Sequence, residues 1–328
     1  MTVAIQQTNL AEAASPPACR GEIDCTLALR HSGSRAVTLR YELTGPDGAP
    51  VLIVAGGISA GRHVISSDTY AEPGWWEPQR DTLSRVRVLA IDWIGADGTL
   101  DCPIDPADQA LALAAVLDRL DVARIAGFVG ASYGAMVGLN FAALYPARIG
   151  RLLSISASDS AHPFSSACRS LQRKAVALGE LAGHPGYGVA LARALAMLTY
   201  RTADEYRERF DAPPTVDGQR VRVSAEDYLD YQGARYAERT SGAAYRRLSE
   251  SIDLHRVNPA DLALPATFVA VESDWLVPID DIRALAAAVP GAQFILMPSL
   301  YGHDGFLKEE EQVAAILTNF IAALEPAT

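Results

Sequence analysis

The sequence predicts an α/β fold, a mostly parallel central sheet covered by helices on both faces and interrupted by a helical lid insertion. Three observations lead there. Short apolar, β-branched runs alternate with stretches of helical periodicity before residue 160 and again after 261. Between 161 and 260 the chain instead runs through Arg- and Glu-rich amphipathic segments without a convincing buried strand. Its 328 residues, 49% apolar and 20% charged, suffice for an ample hydrophobic core.

Taken in order, residues 1–30 read as a flexible tail, because the first twenty lack the basic region and continuous apolar run of a signal peptide. Residues 31–160 and 261–328 form the expected core, with 161–260 as the lid. Val51–Ala55, Val86–Asp92, Ile125–Gly130 and Leu152–Ser156 are continuous apolar runs bounded by Gly, Pro and Asp, the pattern of parallel strands buried on both faces. Pro106–Leu120 places Ala110, Leu113, Ala114 and Leu117 at helical spacing, and Tyr133–Tyr145 repeats small and apolar residues similarly. Ser166–Ala182, Tyr187–Thr199 and Ala225–Arg239 are the amphipathic stretches of the insertion. The alternation resumes with Ala266–Glu272 as strand, Ile279–Ala288 as helix, Gln293–Met297 as strand and Glu309–Leu324 as helix.

Charge narrows the function. Acidic side chains outnumber basic ones 39 to 28, and the resulting −11 repels phosphate backbones and anionic lipid, so neither nucleic acid nor a membrane is an expected partner. No stretch approaches the 18 apolar residues of a membrane-spanning helix. Cys19, Cys25, Cys102 and Cys168 form no disulfide framework and no CxxC pair, which fits a reducing cytoplasm and gives no metal site.

The chemistry begins at Gly130-Ala131-Ser132-Tyr133-Gly134, which follows an apolar strand and opens a helix. In that setting GxSxG is a nucleophile elbow, whose glycines permit a tight turn that lifts the serine hydroxyl above the sheet. A serine hydroxyl needs a base and the base an orienting acid. His303 lies just past the last strand, in Tyr301-Gly302-His303-Asp304-Gly305, and Asp274 directly follows strand Ala266–Glu272 at the carboxyl edge of the sheet. His63 and His162 are rival bases, and Glu272 and Asp280 rival acids. The order Ser132, Asp274, His303 is that of α/β-hydrolases. The turn Ala55-Gly56-Gly57 offers backbone N–H groups for an oxyanion hole beside that of Tyr133.

Several separated motifs resemble the MetX-type homoserine O-acyltransferases of the α/β-hydrolase superfamily over most of residues 35–325. They are Pro73-Gly74-Trp75-Trp76 followed by Asp81-Thr82, the elbow itself, Leu171-Gln172-Arg173-Lys174-Ala175, Leu198-Thr199-Tyr200-Arg201, Tyr228-Leu229-Asp230-Tyr231-Gln232-Gly233 and Gly302-His303-Asp304-Gly305-Phe306-Leu307. The segment Trp93–Thr99 is shorter than in typical members, and Tyr133-Gly134-Ala135 stands where Met-Gly-Gly is usual.

The resemblance implies a ping-pong reaction in which serine takes an acyl group from acyl-CoA, a co-substrate rather than a bound cofactor, and homoserine accepts it on the way to methionine. It makes Ser132 the nucleophile, His303 the base and Asp274 its acid. It places the substrate ammonium on Asp304 and its carboxylate on Arg201, with Tyr228 or Tyr231 at the entrance. Arg62, six residues beyond Gly56, is a source of positive charge for a succinyl carboxylate. Succinyl is slightly favoured over acetyl, serine is an alternative acceptor, and an esterase or thioesterase on the same triad is the rival activity. The resemblance also implies a homodimer through the lid helices, for which the apolar positions of Tyr187–Thr199 and Ala225–Tyr236 are available.

Overall fold

The computed structural model describes residues 18–324. Its strands are β1 (Cys19–Leu29), β2 (Gly33–Thr44), β3 (Val51–Ala55), β4 (Arg87–Ile91), β5 (Gly127–Ala131), β6 (Leu152–Ile155), β7 (Thr215–Asp217), β8 (Arg220–Arg222), β9 (Ala266–Val271) and β10 (Gln293–Met297). The helices are α1 (Arg80–Leu83), α2 (Pro106–Arg119), α3 (Tyr133–Leu144), α4 (Pro163–Leu181), α5 (Pro185–Tyr200), α6 (Ala203–Phe210), α7 (Ser224–Ala237), α8 (Gly242–Leu254), α9 (Ile279–Ala288), α10 (Gly305–Lys308) and α11 (Glu310–Ala322).

Eight strands form one sheet in the order β1-β2-β4-β3-β5-β6-β9-β10. From β4 through β10 every pairing is parallel, whereas β1 and β2 add an antiparallel edge. The parallel strands are sorted by the period of two. Ile53, Leu89, Phe128, Leu152 and Phe268 pack with Leu113 and Leu117 of α2 and Phe141 of α3. Their neighbours Leu52, Val88, Val129, Leu153 and Val269 pack with Val313, Leu317 and Phe320 of α11. Helices on both faces thus cover a doubly buried sheet, as the apolar runs require.

The edge differs from expectation. Residues 1–17 lie outside the described residues, but 19–29, taken above as tail, form β1, which pairs with β2 along its whole length. The turn between them is tied to the core, since the Arg30 N–H donates to Asp108 at 2.7 Å and His31 meets Asp105 at 2.9 Å. Asp105 is also the cap of α2, accepting from the N–H groups of Ala107 and Asp108.

Five helices, α4 to α8, and the small β7–β8 hairpin stand between β6 and β9. They have their own apolar cluster, with Val176, Val189, Ala192, Tyr236 and Tyr245 buried. Helices α4 and α5 approach so closely that a Cβ on Gly179 would lie 2.5 Å from the Cα of Gly188. No helix among the described residues is long and apolar enough to cross a membrane.

Candidate active site

Ser132 sits between β5 and α3 with φ 54° and ψ −120°, a conformation non-glycine residues rarely hold. Its neighbours make the turn possible. A Cβ on Gly130 would lie 2.4 Å from the Gly134 carbonyl oxygen, and one on Gly134 would lie 2.1 Å from that of Ala55, so both positions exclude any side chain. The Ser132 N–H donates to Ile155 at 2.8 Å and the Gly134 N–H to Gly56 at 2.8 Å, which anchors the elbow to β6 and to the β3 turn.

The hydroxyl thus presented lies 2.7 Å from His303 Nε2, and His303 Nδ1 lies 2.7 Å from Asp274 Oδ2. The other carboxylate oxygen of Asp274 accepts the N–H groups of Leu276 at 2.9 Å and Val277 at 3.2 Å, which fixes the acid before it meets the base. Asp274 and His303 are both buried. Burial opposes charge on His303, but the adjacent Asp274 and then Asp304 outweigh it and hold the imidazole above its usual pKa. Such a chain can take the serine proton, carry it as an imidazolium and return it to a leaving group. The Ser132 hydroxyl meets His303 and neither rival histidine, although His162 borders the cavity over the triad. His63 binds Glu42 at 2.9 Å, and the His162 ring accepts the N–H of Phe164 at the start of α4.

A cavity of about 200 Å³ opens over the triad, lined by Ser132, His303, Asp304 and Gly57 from the core side. The Gly57 carbonyl accepts from the Trp93 indole at 3.1 Å, which steadies that turn. Of the three turn residues expected to serve an oxyanion, only Gly57 borders the cavity. Ala55 pairs with Gly130 in the sheet, and the Gly56 carbonyl accepts the Gly134 N–H, which ties this turn to the elbow. The N–H of Tyr133 opens α3 directly after Ser132, and its fully buried phenol reaches Ser251 at 2.7 Å.

The inserted helices roof the cavity with Arg169, Arg193 and Tyr200, none of which sequence reasoning selected for the site. Arg169 donates to Asp253 at 2.7 Å and to Ser166 at 3.1 Å. Arg193 lies over the rings of Tyr236 and Tyr200, 4.8 and 5.4 Å from their centroids. One signal was available, since Arg193 is the sole charged residue of α5. Arg169 gave none, being one of several cations on an amphipathic helix.

Other expected contacts fall differently. Arg201 and Asp304 meet each other, Nε to Oδ2 at 2.8 Å, and Arg201 also binds Glu205. Asp304 lines the cavity, whereas Arg201 is not among its lining residues. Arg62 is outside the cavity lining, its backbone N–H on Asp92 at 2.8 Å and its guanidinium 3.8 Å from the same carboxylate, so the cations facing the triad come from the insertion instead. Tyr228 packs against Phe210 with ring centroids 5.2 Å apart, and Tyr231 is exposed, so neither borders the cavity.

A serine at a strained elbow, relayed through histidine to a buried aspartate over a mostly parallel sheet, has the geometry that α/β-hydrolase-fold enzymes share. Residues 50–310 match the alpha/beta hydrolase fold family. A homoserine O-succinyltransferase of Xanthomonas campestris pv. campestris is 52% identical over 97% of this chain and 88% of its own. A serine O-succinyltransferase of Litchfieldella anticariensis is 30% identical over 88% of this chain and 93% of its own. Among solved structures, a homoserine O-acetyltransferase from Staphylococcus aureus superposes with a TM-score of 0.81 at 22% identity, covering 95% of this chain and 98% of the other. The chain belongs to the homoserine O-acyltransferase family, and it is an acyltransferase of the α/β-hydrolase superfamily.

Proposed function

We propose that this enzyme moves a succinyl group from succinyl-CoA to the side-chain hydroxyl of L-homoserine, a step towards methionine, through an acyl-enzyme on Ser132. The Ser132 oxygen attacks the thioester carbonyl as its proton passes to His303 Nε2. The N–H groups of Tyr133 and Gly57 receive the negative oxygen of the tetrahedral intermediate. Collapse breaks the carbon–sulfur bond, and the imidazolium gives its proton to the departing CoA thiolate. In the second half-reaction the homoserine hydroxyl yields its proton to His303 and attacks the ester carbonyl, and Ser132 leaves as it takes that proton back. Asp274 holds the Nδ1–H throughout.

The observation that carries this reading is the roofed cavity, with Ser132 and His303 on its floor and Arg169 in its roof. A cover over the triad favours transfer over hydrolysis to the extent that it limits water at the acyl-enzyme. Arg169 suits the distal carboxylate that distinguishes a succinyl from an acetyl donor, in agreement with the succinyltransferase relative at 52% identity. Homoserine brings an ammonium and a carboxylate, and these replace the Arg201–Asp304 ion pair, ammonium on Asp304 and carboxylate on Arg201. Serine, one methylene shorter, is the competing acceptor. Two copies pair through the inserted helices, and the reaction belongs in the cytoplasm.

Thiol release from succinyl-CoA and acetyl-CoA, with and without homoserine or serine, tests the assignment. One burst per enzyme without acceptor, steady turnover with homoserine and a higher rate with succinyl-CoA are expected. Release that ignores the amino acid would identify a hydrolase.

A further inference from the structure

The base of this triad is held partly by the insertion. His303 is reached at its two nitrogens by Ser132 and Asp274, which leaves the ring free to swing about that line unless its faces are packed. Tyr200, the last residue of α5, lies against it with ring centroids 6.0 Å apart and planes 29° from parallel. Phe306 meets it edge-on at 6.3 Å. Phe306 belongs to α10, which follows His303 directly, whereas Tyr200 comes from a hundred residues earlier in the chain.

Two further contacts fix Tyr200 there. The backbone after it docks on the histidine turn, since the Thr202 hydroxyl donates to the Leu300 carbonyl at 2.6 Å. A Cβ on Gly302 would lie 2.6 Å from the Tyr200 carbonyl oxygen. Arg193 then sits over the Tyr200 ring and over Tyr236 of α7.

We propose that Tyr200, set by Arg193 and by the docked end of α5, is a positioning residue for His303 that fixes the imidazole plane and favours the imidazolium formed in both half-reactions. An aromatic face attracts a cation at this range, and the attraction grows where water is excluded. The charged and titratable groups facing the imidazole are Asp274 from the loop after β9, Asp304 on its own turn, Arg169 from α4 and Tyr200 from α5. Burial pushes the Tyr200 phenol up, so it stays neutral while the base titrates. The insertion thus acts on the proton transfer as well as covering the site.

The inference rests on the acyl-enzyme reading, and one experiment separates the two. Single-turnover acylation by succinyl-CoA is followed against pH in the parent, Tyr200→Leu, Tyr200→Phe and Arg193→Met, with thermal midpoints taken in parallel. Tyr200→Leu should acylate about 10-fold more slowly at its optimum with unchanged donor affinity, and its acid limb should move down by about half a pH unit, as the imidazolium loses a cation–π partner. Tyr200→Phe should restore both. Arg193→Met should acylate about threefold more slowly, as the Tyr200 ring loses the group stacked on it. A Tyr200→Leu protein that matches the parent overturns the proposal, as does a Tyr200→Phe protein as slow as Tyr200→Leu, which would assign the role to the hydroxyl. If Tyr200→Leu does not fold, Tyr200→Met, which fills similar space without an aromatic face, decides, and an unshifted acid limb in it overturns the proposal. A parent that is never acylated removes the functional reading instead.

Discussion

At Ser132 the backbone pays for geometry that the hydroxyl then uses. With φ at 54°, the residue is held by its N–H on Ile155 and by glycines that admit no Cβ, so its oxygen meets His303 at 2.7 Å without a rearrangement. Ser132→Ala should therefore lose on the order of 10⁴-fold or more in kcat and show no acyl adduct by mass spectrometry. The base carries a sign. Because Asp274 and Asp304 hold His303 above the usual imidazole value despite its burial, the acid limb of kcat/KM for the donor should fall above pH 6.5. Asp274→Asn should move that limb down and cut the rate by about 10⁴-fold, since it removes both the charge and the tautomer control. Arg169 is tested by donor choice. Arg169→Leu should lose about 30-fold or more in kcat/KM with succinyl-CoA while acetyl-CoA changes little, and parallel losses with both donors would deny it the distal carboxylate. The triad was legible in the sequence because one motif in one context locates the nucleophile, and chain order then leaves few partners. Arg62 was misplaced, since distance along the chain from Gly56 says nothing about which way a loop side chain turns.

Among the elements, α8 ends on a buried switch. His255 is its C-terminal cap, with Nδ1 3.1 Å from the Asn140 amide nitrogen on α3 and Nε2 2.9 Å from the Ser158 carbonyl, so Nε2 carries the proton. Burial drives its pKa down from 6.5 to about 4. In the unfolded chain the ring protonates first, so between about pH 6.5 and 4 the unfolded state binds more protons and stability falls as pH falls. The full loss, reached below about pH 4, is roughly 3 kcal/mol. Thermal melts of the parent and His255→Gln should converge as pH drops through that window, and a variant whose midpoint keeps the parent's pH slope would deny His255 this role. The parallel strands were legible as continuous apolar runs, but β1 and β2 were not taken as strands. Their signal was present in another form, with Ile23, Cys25, Leu27 and Leu29, then Val37, Leu39, Tyr41 and Leu43, at every second position. An antiparallel edge with one wet face writes alternation rather than a run. The registry of α4 to α8 over the triad was not legible at all, because an amphipathic period gives a helix its apolar face without saying what lies under it.

At the scale of the molecule, large exposed apolar side chains gather on the insertion, while those of the core, such as Leu144 and Leu296, are scattered among the described residues. Leu171, Leu178 and Leu181 of α4 are 59%, 63% and 86% exposed, and Tyr187, Leu191 and Leu198 of α5 are 71%, 38% and 46% exposed. Leu171 and Leu178, like Leu191 and Leu198, are seven residues apart and so lie on one stripe of their helix. These two helices already pack on each other through Gly179 and Gly188 and on the rest of the insertion through Val176 and Val189, so the stripes are left over after the insertion's own core is satisfied. Six large apolar side chains on adjoining helices exceed the scattered exposure usual on a monomer. Helix α7, also expected to contribute, exposes Tyr231 but buries Tyr236, so the apolar stripe belongs to α4 and α5. A self-complementary contact between two α4–α5 pairs is the arrangement that closes without leaving a third surface open. Light scattering at micromolar concentration should therefore give twice the 35.0 kDa chain mass, and Leu178→Glu with Leu198→Glu should give the chain mass itself. Because Tyr200 lies at the end of α5, two residues beyond Leu198, the separated chains should also acylate more slowly, with donor affinity retained. A parent that runs at 35.0 kDa, or a double variant that stays paired, would place the dimer contact elsewhere or remove it.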